Sequence, residues 1–79
     1  MPRLTLALRL IRLRARAQLS QRALERLARV GRGTVTRIES GAIPRATTVS
    51  KLAHALGVQV CALYPAMPYG HEEEHAHAS

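Results

Sequence analysis

Residues 19–41 read LSQRALERLARVGRGTVTRIESG, and this stretch predicts two short helices joined by a tight turn. We expect Ser20 to cap the first helix, because its hydroxyl can accept a backbone N–H group of the first turn. Leu24, Leu27 and Ala28 follow at helical spacing and predict one apolar face. The first half of the stretch therefore predicts a helix that packs through one side.

The second helix, predicted for about residues 32–40, follows a break at which Gly31 can turn the chain and cap the helix. Val35 and Ile38 form its narrow inward stripe, and Gly41 predicts a left-handed cap at its end. The run TVTRI also alternates like a strand, but the flanking turn and the helical neighbours favour a helix. The residues off the stripe are Arg32, Gly33, Thr34, Thr36 and Arg37. Two helices joined by such a turn form the unit that places its second helix in the DNA major groove.

Upstream, residues 4–17 predict an amphipathic helix with a broad apolar arc. The arc holds Leu4, Leu6, Ala7, Leu8, Leu10, Ile11, Leu13, Ala15 and Ala17. Arg14 falls inside the arc, where an unpaired guanidinium is costly. Glu39 directly follows the inward Ile38, so we predict a partly buried Arg14–Glu39 ion pair. The alternative is that Arg14 reaches the solvated rim of the core.

Downstream, Thr48 and Gly57 bracket a predicted helix at residues 49–56, and a short fifth helix is predicted for about 60–64. Residues 1–64 are therefore expected to form one domain. Residues 65–79 offer little to bury and are expected to be disordered.

The 79 residues include 12 Lys and Arg but 5 Asp and Glu, three of which are Glu72–Glu74. Such a basic chain suits a polyanion, either nucleic acid or an anionic membrane surface, although it can also simply present a solvated basic face. We expect no membrane association, because no apolar run approaches about 20 residues and other helices compete for the apolar face of residues 4–17.

The remaining chemistry of the sequence is sparse. Cys61 is the one cysteine, which fits the cytoplasm, and we expect it to act as a small core hydrophobe. His71, His75 and His77 can chelate a metal loosely, as flexible histidine-rich segments do without purpose, so no metal site or cofactor is expected. The chain lacks a nucleophile–base constellation, which disfavours an enzyme.

Residues 4–64 resemble the lambda-repressor-like, Cro-type (XRE) helix-turn-helix domains. The matching residues are LSQ at 19–21, Leu24, Val30, TVTRIESG at 34–41 and KLAHALGV at 51–58. The resemblance implies an all-α, compact five-helix domain with the helix-turn-helix at helices 2 and 3. It also implies a protein that is usually a dimer, reads a near-palindromic operator in double-stranded DNA and controls transcription.

By position, the resemblance implies DNA-backbone contacts from Gln21, Ser40 and Arg45. It implies a base-reading face that contains Arg32, Gly33, Thr34 and Arg37, with Thr36 beside them, and a buried Arg14–Glu39 pair. Three positions depart from the family pattern. Glu25 stands where a small residue is usual, Arg29 where glycine is usual, and Gly33 supplies no side chain at a reading position. We predict that Glu25 and Arg29, four residues apart on one helix, form a pair.

The sequence thus favours a DNA-binding transcription regulator, expected to be a repressor. We predict a homodimer formed through the fifth helix, with Val58, Val60, Leu63 and Tyr64 as candidates. Further phosphate contacts are expected among Arg9, Arg12, Arg16, Arg22 and Arg26. The alternative is an antitoxin that represses its own operon and binds a toxin. RNA binding is disfavoured, since the only aromatic residues are two tyrosines.

Overall fold

A computed structural model describes residues 2–64, with side chains described from residue 6 onward, and these residues form five helices without a strand. The helices are α1 (Pro2–Arg16), α2 (Gln21–Ala28), α3 (Thr34–Glu39), α4 (Ala46–Leu56) and α5 (Val60–Leu63). The predicted all-α, five-helix class is confirmed. The predicted disorder of residues 65–79 and the three histidines there lie outside the described residues.

All five helices contribute to one hydrophobic core. Its fully buried side chains include Leu6, Leu10, Leu24, Val35, Ile38, Val49, Leu52, Leu63 and Tyr64. The predicted inward stripe of α3 is therefore correct, and it matters because α3 is a poor helix by propensity. Burying a large aliphatic side chain contributes about 1.5–3 kcal/mol, so the core holds this six-residue helix in place.

Three helices begin at residues other than those predicted, and the first of them, α1, begins at Pro2 rather than residue 4. α3 begins at Thr34 rather than Arg32, because Gly33 adopts a left-handed conformation with φ +87°. α4 begins at Ala46 rather than residue 49, with Arg45 as an extended N-cap residue whose side chain makes no capping bond. Thr48 therefore lies inside α4 and does not cap it. Gly57 ends α4 in the left-handed conformation, as predicted.

The apolar faces are narrower than the sequence predicts. Leu27 is 57% exposed, because α2 turns Leu24, Glu25 and Ala28 inward instead. On α1, Leu8 and Ile11 belong to the predicted arc but lie exposed. Cys61 is exposed as well, so the prediction of a core cysteine is wrong. The four-residue α5 buries its last residue, Leu63, and not Cys61.

The predicted dimer surface requires a correction. Leu63 and Tyr64 are 0% and 1% exposed, since both pack inside the core of their own chain. They cannot meet a second subunit without opening that core. Val58 and Val60 are half-buried at its edge, so only these two of the four candidates retain accessible surface.

Candidate nucleic-acid interface

The first left-handed residue after α2 is Arg29, whereas Gly31 has no positive φ and takes part in the turn through its carbonyl oxygen, which accepts the Thr34 N–H at 3.1 Å. Arg29 adopts the left-handed conformation (φ 60°, ψ 44°), and its N–H donates to the carbonyls of Arg26 and Glu25. The Val30 N–H then donates to the Glu25 carbonyl oxygen at 3.1 Å. A left-handed conformation costs an L-residue about 1–2 kcal/mol, which accounts for the preference for glycine that the resemblance implies here.

Glu25 caps α3 from the neighbouring helix. Its side chain is 3% exposed, and its Oε2 accepts the backbone N–H of Val35 at 3.0 Å. Gly33, the N-cap residue of α3, has no side chain that could satisfy this donor. Among the described residues no ion pair joins Glu25 to Arg29, so that prediction is wrong. A glycine at the start of α3 provides no side-chain acceptor, and this was the sequence signal that another residue must accept the backbone N–H groups of the first turn.

Gly33 is needed for its backbone conformation. Its φ of +87° is one that residues with a side chain rarely adopt, and a Cβ here would lie 3.0 Å from Nη1 of Arg37. The Arg37 guanidinium therefore lies over Gly33, at the start of α3. These two predicted site residues are in contact distance of each other.

Arg14 and Glu39, for which the helical wheel predicts an ion pair, are joined by two hydrogen bonds. Arg14 Nε donates to Oε2 of Glu39 at 2.7 Å, and Nη2 donates to Oε1 at 3.1 Å. Arg14 Nη1 also donates to the Leu19 carbonyl oxygen at 3.0 Å. The hydrogen bond to Glu39 raises the pKa of Arg14 above its ordinary value, against the opposing effect of burial. The pair thus ties α1 to the end of α3.

The same carboxylate also orients the first residue of α2. Gln21 Nε2 donates to Oε1 of Glu39 at 2.8 Å, and Gln21 Oε1 accepts the Thr36 hydroxyl at 2.9 Å. Arg14, Glu39, Gln21 and Thr36 therefore form one chain of hydrogen bonds across three helices. Gln21 and Thr36, both predicted site residues, are held side by side at the surface. Each primary amide nitrogen has two N–H groups, so Gln21 keeps one for another partner.

The other predicted site residues divide into two neighbouring surfaces. Thr34, Arg37 and Arg45 line a groove beside α3 together with Ile43, an exposed residue that the sequence did not single out. Arg32 lines a second groove. Its other lining residues are Arg22, Glu25, Arg26 and Val30. Ser40 is exposed at the C-cap of α3.

The first groove flanks α3, whose outward side is polar while Val35 and Ile38 are buried, and the second lies along α2 and the turn that precedes α3. Arginine side chains line each of them, and the two carboxylates among the described residues are bound within the fold, Glu25 to α3 and Glu39 to Arg14. The surface around α3 is therefore basic without nearby free acids, as a surface that binds phosphate must be.

The chain matches a known protein family over more than half of its length. A family model described as helix-turn-helix covers residues 8–63. Searches of curated proteins and of solved structures gave no match. Within residues 2–64 no helix has the length and apolar character needed to cross a membrane.

Proposed function

This chain belongs to the XRE, lambda-repressor-like family of helix-turn-helix DNA-binding transcription regulators, and we propose that it binds a specific double-stranded operator through α3. One observation carries the proposal. The outward side of α3 is basic and polar, and its orientation is fixed at both ends, by Glu25 at the first turn and by the Arg14–Glu39 pair at the last. A rigid, polar helix face is what direct readout in the major groove requires.

We assign the reading of bases to Arg32 and Arg37, because an arginine can donate two hydrogen bonds to the O6 and N7 acceptors of guanine. Thr34, in the same groove as Arg37, can contact a thymine methyl group or a phosphate. Gly33, without a side chain, allows the backbone to approach the DNA closely. These four residues would define the specificity of each half-site.

The phosphate contacts are assigned to residues that flank α3. Gln21, held by Glu39 and Thr36, can donate its second amide N–H to a phosphate oxygen. Ser40 and Arg45, both exposed beyond the end of α3, extend the contact along the backbone. Such contacts set register and carry no sequence information of their own.

Beyond operator binding, the proposed function is repression of transcription in the cytoplasm by a homodimer. Half-buried Val58 and Val60 are the part of the predicted dimer surface that remains accessible. A dimer would read two half-sites about 34–36 Å apart, one turn of DNA. No feature of residues 2–64 favours the alternative of an antitoxin with a toxin partner, which stays a prediction from the sequence.

Replacement of Arg37 tests the assignment. Using an operator obtained by selection, Arg37→Ala should lose about 1–3 kcal/mol at a single base pair and relax specificity there. Lys51→Ala, an exposed basic residue of α4, is the matched control and should leave the ratio of specific to non-specific affinity unchanged. Fluorescence anisotropy with operator variants measures both. Equal weakening on every sequence by Arg37→Ala would mean that Arg37 contacts only phosphate.

A further inference from the structure

A second basic surface lies on α1, away from α3. It consists of Arg9, Arg12 and Arg16, here called the basic ridge, which line one groove with Leu13 and Ala62. At 100° per residue these three arginines lie about 140–160° around the helix axis from Arg14, the residue bound to α3. The basic ridge and the candidate interface are therefore on opposite sides of α1, so the ridge is not part of that interface, although its three arginines are among the phosphate contacts that the sequence predicts.

The ridge has no acidic partner among the described residues. Glu39 is bound to Arg14 and Gln21, and Glu25 is buried beneath α3. Within the described part of the chain, the one polar contact of the ridge is from Arg9 Nη1 to the carbonyl oxygen of Ala62, at 3.3 Å. Three like charges repeat at spacings of three and four residues on one helix, an arrangement that is unfavourable until an anion neutralises it.

The ridge also lies beside the place where the described chain ends. Ala62, to which Arg9 donates, is in α5, two residues before Tyr64. The sequence continues from Tyr64 through PAMPYGH to Glu72, Glu73 and Glu74. Eight residues span at most about 26 Å when extended, whereas the ridge from Arg9 to Arg16 is about 10 Å long at 1.5 Å per residue. The connection is therefore long enough for Glu72–Glu74 to reach the basic ridge.

We propose that the basic ridge is a docking surface for an acidic peptide segment, and that its occupant is Glu72–Glu74 of the same chain. Three consecutive carboxylates match three guanidinium groups, and they are the acids of this chain that the described fold does not use. The short connection holds the acidic run near the ridge at an effective concentration in the millimolar range. Because each exposed ion pair is weak, the contact depends on all three pairs and is sensitive to salt.

Docking would restrict the polyanion-binding surface of the protein to the side that carries α3. This consequence rests on the proposed function, whereas the docking itself does not. The test of docking therefore uses no DNA. It compares the Nε–Hε NMR signals of the arginines in the full chain and in Glu72→Gln/Glu73→Gln/Glu74→Gln, at low salt and at 0.5 M NaCl.

At low salt, the triple substitution should change the chemical shifts of the Nε–Hε signals of Arg9, Arg12 and Arg16 only. In the unmodified chain, 0.5 M NaCl should produce the same changes. The signals of Arg22, Arg26 and Arg45 serve as internal controls and should not move. Conversely, Arg9→Gln/Arg12→Gln/Arg16→Gln should shift the backbone amides of residues 72–74, and Arg22→Gln/Arg26→Gln/Arg45→Gln should not. No shift, or an equal shift on all arginines, would overturn the proposal. So would shifts that grow with protein concentration, since a second copy would then be the occupant.

The effect on DNA has its own readout. The Glu-to-Gln triple variant should bind random-sequence duplex with a steeper salt dependence, by about 0.9 in log–log slope for each ridge arginine that becomes free to contact phosphate. His71→Gln/His75→Gln/His77→Gln is the matched control in the same segment and should leave the slope unchanged at pH 8. An unchanged slope for the Glu variant would overturn this effect on DNA while leaving the NMR test of docking to stand on its own.

Discussion

The cap that Glu25 provides to α3 gives the sharpest prediction about stability. Glu25→Ala removes the acceptor for the Val35 N–H, a buried donor that then has no partner. An unsatisfied buried N–H costs about 1–3 kcal/mol. The same substitution removes a buried carboxylate whose Oε1 has no hydrogen-bond partner, and this offsets part of the cost. We expect Glu25→Ala to lower the free energy of unfolding by about 1–2 kcal/mol.

Glu25→Gln is the matched control, because its amide oxygen can still accept the Val35 N–H while the buried charge is lost. We expect it to stay within about 1 kcal/mol of the unmodified chain. In a domain of this size 1 kcal/mol corresponds to about 4–8 °C in Tm. Helical circular dichroism during thermal and guanidinium unfolding therefore resolves the two variants. If Glu25→Ala is as stable as Glu25→Gln, the hydrogen bond to Val35 does not cap α3 and the reasoning is refuted.

Three further substitutions test the backbone and the ion pair by the same unfolding measurements. Arg29→Gly should raise stability by about 1 kcal/mol, because glycine adopts the left-handed conformation without the penalty of an L-residue; a loss would mean that the turn is not strained. Gly33→Ala should cost about 1–2 kcal/mol through its positive φ. This cost should persist when Arg37 is also replaced by Ala, since the guanidinium can move and the backbone cannot; full relief by the second substitution would contradict that. Glu39→Ala should cost about 2–3 kcal/mol, because it leaves the partly buried Arg14 unpaired. The raised pKa of Arg14 implies that its contribution is complete below the unfolded value and is lost only as pH rises through the folded value. It should therefore add no pH dependence between pH 6 and 9, and a titration of its contribution in that range would refute the assignment.

The sequence predicted those parts of the fold that depend on apolar spacing and on obligatory caps. Val35 and Ile38 are buried because they are the apolar residues of α3. Ser20 caps α2, as predicted, by accepting the Ala23 N–H at 3.0 Å. Arg14 was identifiable because a charge inside an apolar arc requires a partner.

The errors have physical causes too. Apolar spacing predicts that leucines are buried and charged residues are exposed. On α2 the reverse holds for two residues: Leu27 is exposed, and Glu25 is buried, where its carboxylate accepts the Val35 N–H at the start of α3. A left-handed conformation does not follow from residue type alone, since Arg29 adopts it between α2 and α3 and Gly31 does not. Apolar residues at the end of a helix serve equally in a core or at a subunit interface, and only the fold shows that Leu63 belongs to the core.

Selection from a random pool of double-stranded DNA, sequenced after several rounds at near-physiological salt, tests the central claim most directly. If α3 reads bases, the pool should converge on an inverted repeat with guanines in each half-site, and Arg37→Ala should lose the preference at one symmetric pair of positions. Salt-sensitive binding without any enriched sequence would contradict the claim, since charge alone would then account for the association with DNA.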